Sequence, residues 1–171
     1  MKRIAIIGSS GAGKSTLARS LGQKLDLPII HLDSYYWHSN WVETPQNDWD
    51  TIHQKLLNGD RWIINGNYGR TMDERLEAAD TIIWLDFARE LCLWRIIKRY
   101  LQYRGRVRED MADGCRERIT WEFLQYVYNF PKQRRPQILS RLNQHQNSKK
   151  IVILQHPNQV KTFLSEMSAI A

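Results

Sequence analysis

The sequence lacks the features that define several large classes of protein. It has only two cysteines in 171 residues, Cys92 and Cys115, and their spacing matches no zinc-binding or redox motif. No apolar run is long enough to cross a membrane as a helix. The apolar run near the N-terminus, residues 4–7, is shorter than the hydrophobic region of a secretory signal. We therefore expect a cytoplasmic protein with no membrane partner.

Signatures of other functions are missing as well. The chain has no Asn-Lys-x-Asp run, which a GTPase would need to read its base, and no Ser-His-Asp arrangement beyond scattered residues. It contains no helix-turn-helix, zinc-finger or RNA-binding signature, so nothing predicts specific readout of nucleic acid. Repeats, low-complexity tracts and linkers are also absent, which predicts a single domain over residues 1–171.

Acidic residues are fewer than basic ones. The chain carries 18 acidic and 25 basic side chains, for a net charge of +7 and a pI near 9.6. Such a charge balance favours polyanionic partners. Both a nucleotide phosphate and a nucleic acid meet that description, and charge alone does not choose between them.

Short runs rich in β-branched residues alternate with amphipathic helical patterns along the chain. This alternation predicts an α/β protein with a five-stranded, mostly parallel sheet flanked by helices. Residues 34–50 have no clean period and predict a loop or an irregular helical insert. A helical face at 119–128 is interrupted at Pro131. The predicted strands lie at residues 3–7, 29–32, 62–64, 81–85 and 150–154.

The strongest motif follows the first predicted strand. Residues 8–15 fit the pattern G-x-x-x-x-G-K-[ST] at every fixed position, with an amphipathic helix after them. Glycines allow successive backbone N–H groups to face phosphate oxygens, and the helix N-terminus adds its positive dipole end. We expect Lys14 to reach the β- and γ-phosphates of ATP, Ser15 to bind Mg²⁺ and Thr16 to contact the α-phosphate. The predicted nucleotide-binding residues are Gly8, Ser9, Ser10, Gly11, Ala12, Gly13, Lys14, Ser15 and Thr16.

These residues make the chain similar to known kinases. The loop resembles that of nucleoside and nucleotide kinases, and residues 85–99 resemble the strand and helix that lead into the adenylate kinase lid. Over nearly all 171 residues the chain resembles bacterial DNA topology modulation proteins, a branch of the P-loop kinases. The segments carrying that likeness are 31–33, 62–68, 104–115 and the stretch through Phe130 to Arg135-Pro136. The resemblance implies an ATP- and Mg²⁺-dependent phosphotransferase, with a lid at about residues 103–115 and an acceptor-binding insert at about 34–58.

Basic side chains accumulate before and within the predicted lid. No acidic residue lies between Leu91 and Arg108, an interval that contains six basic ones. Arg95 and Arg99 are four apart on a predicted helix, where like charges repel, so a phosphate ligand explains them better than stability does. The resemblance places Arg95 near adenine and Arg99 near the phosphates, and we expect a lid arginine such as Arg106 to contact the substrate. A solvated basic face remains the alternative.

The acceptor side is predicted from the ends of the second and third strands. Asp33 is positioned to orient Mg²⁺ waters or to take a proton from an attacking hydroxyl; its alternative is a helix cap. Asn65 stands where adenylate kinases have an aspartate, and Arg70 matches the arginine that grips their acceptor phosphate. Asn65 is equally typical of a turn. Five aromatic residues at 35–49 suit stacking on an acceptor or a hydrophobic core.

Two functions remain after this survey. The first is a kinase that transfers the γ-phosphoryl group of Mg-ATP to a small molecule, with Lys14, Asp33, Arg95 and Arg99 as catalytic residues. The second is a nucleotide-dependent regulatory or DNA-binding protein that uses its basic surface, for which no specific motif exists. The sequence does not identify the acceptor or the oligomeric state.

Overall fold

A computed structural model describes residues 1–168 of the chain. The strands are β1 (Arg3–Gly8), β2 (Ile29–His31), β3 (Trp37–His38), β4 (Val42–Glu43), β5 (Trp62–Asn65), β6 (Thr81–Leu85) and β7 (Lys150–Leu154). The helices are α1 (Lys14–Leu25), α2 (Asp33–Tyr36), α3 (Gln46–Leu57), α4 (Met72–Ala78), α5 (Arg89–Tyr103), α6 (Trp121–Gln133), α7 (Arg135–His145) and α8 (Pro157–Ser168). None of the helices in this described range is long and apolar enough to span a membrane.

Five strands form one sheet in the order β2-β5-β1-β6-β7, and every pairing is parallel. This confirms the predicted α/β fold. β1 is the central strand and pairs with β5 on one side and β6 on the other. The loop that follows β1 therefore lies in the middle of the carboxyl edge of the sheet, where open α/β sheets bind their ligands.

Alternate residues of β1 enter two separate parts of the core. Ile4 and Ile6 pack on one face of the sheet with residues of α1, α5, α6 and α8. Ala5 and Ile7 pack on the other face with residues of α3, α4 and α7. Because successive side chains of a strand point to opposite faces, a strand covered on both sides must be apolar throughout. The short apolar runs in the sequence have this origin.

Two segments rise above the carboxyl edge of the sheet. The insert between β2 and β5 contains α2, the β3-β4 hairpin and α3, so it has more regular structure than a loop. The segment between α5 and α6, residues 104–120, includes the predicted lid residues and is called the lid segment below. Two isolated bridges, Arg104 with Glu117 and Val107 with Arg116, fold it back on itself.

The C-terminal third differs from the prediction. Pro131 does not interrupt the helix, since α6 continues to Gln133 and the Arg134 N–H still bonds to the Phe130 carbonyl at 2.9 Å. Pro131 has no N–H to donate to the Val127 carbonyl, so α6 continues through it with one hydrogen bond fewer. The sequence also did not predict α7, whose buried contacts come mainly from Ile138 and Leu142 in a polar stretch. Two buried residues four apart are too few for a clear helical period.

Candidate active site

The loop after β1 is shaped to receive an anion. Gly11 and Gly13 have φ values of 80° and 99°, which L-residues with a side chain rarely adopt. Gly13 precedes α1 without any side-chain cap, and the first turn of α1 carries no acidic residue. The free N–H groups and the dipole of this 12-residue helix therefore face the ligand space without competition.

Lys14 lies inside this loop. Its Nζ donates hydrogen bonds to the carbonyl oxygens of Gly8 and Ser9, each at 3.0 Å. Burial lowers the pKa of the Lys14 ammonium, while the nearby Asp33 carboxylate acts in the opposite direction. The ammonium is thus held against the loop carbonyls, in a residue that lines the cleft.

Arg95 joins α5 to the same loop. Its Nη1 donates to the Ala12 carbonyl at 2.9 Å, and its guanidinium lies 5.3 Å from the centre of the Phe87 ring. Phe87 follows β6, and Pro157, Val160 and Leu164 of α8 line the cleft with it. An apolar surface beside a stacked guanidinium suits a planar base. This end of the cleft lies on the β6-β7 side of the sheet.

Asp33 lies at the opposite end of the cleft, on the β2-β5 side. It is the first residue of α2, and Tyr68 Oη donates to its Oδ1 at 2.5 Å. The Asn65 amide bonds to His31 Nδ1 at 2.7 Å, which ties the ends of β5 and β2 together. Burial and the Asp33 charge both raise the pKa of Tyr68, so Tyr68 remains a hydrogen-bond donor to the carboxylate.

The arginines of α5 and the lid segment meet at one buried carboxylate. Glu117 accepts a hydrogen bond from Arg99 Nε at 2.8 Å and forms an ion pair with Arg108 Nε at 2.7 Å. Only 1% of the Glu117 side chain is exposed. Arg99 and Arg108 both line the cleft. The like charges predicted from the sequence are therefore partly compensated, and the two guanidiniums are held side by side above the phosphate loop.

The lid segment is docked on the insert. Ser39 Oγ donates to the Asp113 carbonyl at 3.0 Å, Trp41 Nε1 donates to the Arg116 carbonyl at 2.9 Å, and Cys115 Sγ contacts the His38 carbonyl at 3.1 Å. These bonds join two segments that both rise from the carboxyl edge. The cleft between them and the sheet has a volume of about 800 Å³. That is within the range of ligand pockets, which runs from roughly 300 to 1,000 Å³.

The aromatic residues of the insert divide into two groups. Trp49 is buried, and its ring centre lies 5.1 Å from that of Tyr36 and 4.9 Å from that of Tyr68. Trp37 and Trp41 line the cleft with ring centres 5.4 Å apart. The core alternative is observed for Trp49, and stacking on an acceptor stays a prediction for the residues that line the cleft. Trp49 belongs to the core, while Trp37 and Trp41 face the ligand space.

Two predicted substrate residues lie elsewhere in this structure. Arg70 forms a bidentate pair with Asp50 of α3, with Nη2 to Oδ2 at 2.6 Å and Nε to Oδ1 at 2.9 Å, and also bonds to Gln46. Neither Arg70 nor Arg106 is among the described residues that line the cleft. Their contact with a substrate stays a prediction. The other predicted residues lie in the cleft or, for Gly8 and Ser9, bind Lys14 through their carbonyl groups.

Three residues in or beside the cleft, Asn67, Asp110 and Glu117, were not among the predicted site residues. Asn67 accepts a hydrogen bond from the Gly8 N–H at 3.3 Å and lies 3.4 Å from Tyr126 Oη of α6, so it connects the loop to that helix. Asp110 and Glu117 stand in a charge-rich stretch, residues 104–118, that carries both acidic and basic side chains. The Arg-Glu-Asp run at 108–110 and the Arg-Glu-Arg run at 116–118 are the features that mark them.

The structure is similar to solved small-molecule kinases. A shikimate kinase from Acinetobacter baumannii, solved with shikimate, has a TM-score of 0.66 at 16% identity, over 99% of this chain and 92% of that one. A shikimate kinase from Bacteroides thetaiotaomicron has a TM-score of 0.59 at 16% identity, covering 99% and 97%. A gluconokinase from Sinorhizobium meliloti has a TM-score of 0.54 at 15% identity, covering 98% and 90%. At such identities the likeness shows the fold, which is that of P-loop kinases.

Sequence comparison adds a family and two relatives. The family model described as ABC transporter matches residues 1–168. The uncharacterized protein YqaC of Bacillus subtilis is 27% identical over 129 residues, which are 74% of this chain and 71% of that protein. The ABC-type transporter frbG of Dothideomycetidae sp. is 34% identical over 100 residues, 56% of this chain but 6% of that much longer protein.

Proposed function

Because the chain belongs to the family described as ABC transporter and has the fold of P-loop kinases, we propose that it transfers the γ-phosphoryl group of Mg-ATP to a small-molecule acceptor. The main support is that a single cleft continues from the base-binding end at Phe87, past the phosphate loop, to the carboxylate of Asp33. Hydrolysis of ATP needs only the part of the cleft that holds the nucleotide. Transfer to an acceptor also needs a space beyond the phosphates in which the acceptor can bind.

The residues at the loop fit ATP and Mg²⁺. An uncapped helix N-terminus and a buried ammonium suit the phosphates, and the Ser15 hydroxyl in the first turn of α1 is a hard oxygen donor. Bound there, Mg²⁺ would neutralise charge on the phosphate oxygens. Arg95 would lie against adenine beside Phe87, while Lys14, Arg99 and Arg108 would surround the transferred group.

Asp33 is the proposed base at the acceptor end. The acceptor hydroxyl gives its proton to Asp33, its oxygen forms a bond to the γ-phosphorus, and the bond from that phosphorus to the bridging oxygen breaks to leave ADP. The Tyr68 hydrogen bond fixes the orientation of the carboxylate. Phosphoryl transfer depends mainly on positioning and charge neutralisation, and these groups would supply both.

The acceptor class follows from the shape of that end and from the neighbours. Trp37 and Trp41 offer flat apolar surfaces, and Asp33, Asn65 and Asn67 offer polar groups. Structures with this fold include kinases of shikimate and gluconate. We therefore place hydroxylated metabolites ahead of nucleoside monophosphates. A DNA-binding role is not favoured, because these neighbours are small-molecule kinases.

The test measures ADP release from Mg-ATP in the presence of pooled acceptors: sugars and hydroxy acids, nucleosides, and nucleoside monophosphates. One pool should give turnover, and Lys14→Ala should lower it by roughly 100-fold or more, as expected for loss of a charge that stabilises the transition state. Lys132→Ala removes an exposed lysine outside the described cleft and should leave turnover unchanged. ATP binding without turnover in any pool would argue against a kinase.

A further inference from the structure

The side chain of Arg118, near the end of the lid segment, lines the cleft without a carboxylate partner in the described range 1–168. Two other arginines of the cleft, Arg99 and Arg108, are paired with Glu117 at 2.8 and 2.7 Å. The Arg118 guanidinium lies instead over an aromatic ring, 4.9 Å from the centre of the Trp41 ring. Its charge is therefore held in place by a surface that does not neutralise it.

The contact with Trp41 leaves the hydrogen-bonding capacity of Arg118 available. A guanidinium carries five N–H donors in one plane, and their geometry matches two oxygens of a carboxylate or a phosphate. An aromatic ring attracts and orients a guanidinium without accepting these donors as an anion would. Arg118 is thus prepared for an anionic ligand that enters the cleft.

Trp41 has a backbone conformation that a bulky residue rarely adopts. Its φ is +64°, in the left-handed region. Its Nε1 donates to the Arg116 carbonyl at 2.9 Å, and its ring centre lies 5.4 Å from that of Trp37. Strained conformations persist only where the surrounding structure fixes them, and they cluster at ligand-binding sites. Here the strained residue supplies the ring that supports Arg118.

These contacts belong to the acceptor end of the cleft. Trp37 and Trp41 lie in the insert between β2 and β5, the segment whose first helix begins at Asp33. Lys14, by contrast, is bound to the carbonyl groups of the phosphate loop. Because Arg118 contacts the insert, its charge is associated with the acceptor and not with the phosphate loop.

We propose that Arg118, supported by Trp41, binds an anionic group of the acceptor. The acceptor is then a hydroxylated metabolite that also carries a carboxylate or a phosphate. Its anionic group lies at Arg118, and the hydroxyl that receives the phosphoryl group lies at Asp33. Repulsion between the Asp33 carboxylate and the anionic group opposes the reverse orientation. This inference rests on the proposed function, since it requires that the cleft holds an acceptor.

The first test compares ADP release from Mg-ATP with pools that differ in charge: hydroxy acids, the uncharged amides of the same acids, phosphate monoesters of polyols, and uncharged polyols. Turnover is expected with the hydroxy acids or with the phosphate monoesters, and the active pool tells carboxylate from phosphate. Turnover that is as high with an uncharged pool overturns the inference but leaves the proposed function standing. If ATP binds and no pool gives turnover, the proposed function fails and the inference fails with it.

The second test uses variants with the active acceptor. Arg118→Gln should raise the KM for the acceptor by about 10- to 100-fold, as expected for loss of hydrogen bonds between charged groups. The KM for ATP and kcat should stay nearly unchanged. Arg118→Lys keeps the charge without the planar donors, so its KM should lie between the two. Arg116→Gln removes the same charge from an exposed side chain that does not line the described cleft, and it should behave like the wild type.

Thermal unfolding will show whether Arg118→Gln is folded; if it is not, Arg118→Lys carries the comparison. An unchanged KM for the acceptor in the folded Arg118 variants would overturn the inference. An equal rise of this KM in Arg116→Gln would do so as well, because the effect would then come from net charge and not from a contact in the cleft.

Discussion

Gly11 offers the sharpest test of how the phosphate loop is packed. Its φ is +80°, and a Cβ placed on it would lie 2.3 Å from the Cys92 carbonyl oxygen and 3.1 Å from Ile96 Cγ1. Both neighbours belong to α5, and the Cys92 carbonyl is part of the helix backbone. A backbone group inside a helix cannot move aside as the end of a flexible side chain can. Gly11→Ala must therefore shift either the loop or the helix.

The expected cost has two parts. Holding an alanine at this positive φ costs about 1–2 kcal/mol. Forcing one extra carbon into a packed contact costs typically about 1–3 kcal/mol. The free energy of unfolding should therefore fall by about 2–5 kcal/mol, and nucleotide affinity should fall as well because the loop N–H groups move with Gly11.

Two other glycines separate these contributions. Gly105 has a φ of +75° but nothing within 4 Å of its Cβ position, so Gly105→Ala should show the conformational cost alone, about 1–2 kcal/mol. Gly69 has open space and no positive φ, so Gly69→Ala should be neutral or stabilise slightly, by up to about 1 kcal/mol, through the unfolded chain. Urea denaturation of the three variants measures all three values. If Gly11→Ala is no less stable than Gly105→Ala, the loop does not pack on α5 as described.

Two further predictions concern the core behind the acceptor end and the docking of the lid segment. Burial, and then the charge of Arg75, lower the pKa of His53 to about 4. With an unfolded pKa of about 6.5, the unfolded chain takes up the proton first, so stability is lost as the pH falls through this range. Between pH 7.5 and 5 the free energy of unfolding, measured by urea denaturation, should fall by about 2 kcal/mol because of His53. The variant His53→Gln should lack this pH-dependent loss. If the pH dependence of stability is the same in the variant, the assignment to His53 is wrong. Trp41→Phe removes the bond to the Arg116 carbonyl, worth about 1 kcal/mol, so hydrogen exchange in residues 104–118 should accelerate about fivefold while α7 is unaffected.

The local parts of the site could be predicted from the sequence. Gly8 to Ser15 form one turn between a strand and a helix, and everything this turn needs is encoded in neighbouring residues. Asp33 was predicted for a similar reason, because the ends of parallel strands meet at one edge. The helix α7 was missed because its position depends on packing against the sheet and not on a strong period of its own.

The ion pairs of the lid segment could not be predicted from the sequence. The sequence indicated a run of cations, whereas the structure pairs Arg99 and Arg108 with the buried Glu117. The structure also pairs Arg70 with Asp50, away from the cleft. An ion pair depends on the direction of two long side chains, and sequence spacing does not define that direction outside a helix.

By itself, the sequence determined the phosphate loop, the α/β fold and the order in which strands and helices follow one another, since each depends on local periodicity or on a contiguous motif. Only the tertiary structure decided which arginines share Glu117 and which aromatic residues face the cleft. Those contacts join segments that are distant along the chain and meet only when the lid segment folds over the sheet. They follow from burial and charge pairing between these segments, and no local pattern encodes them.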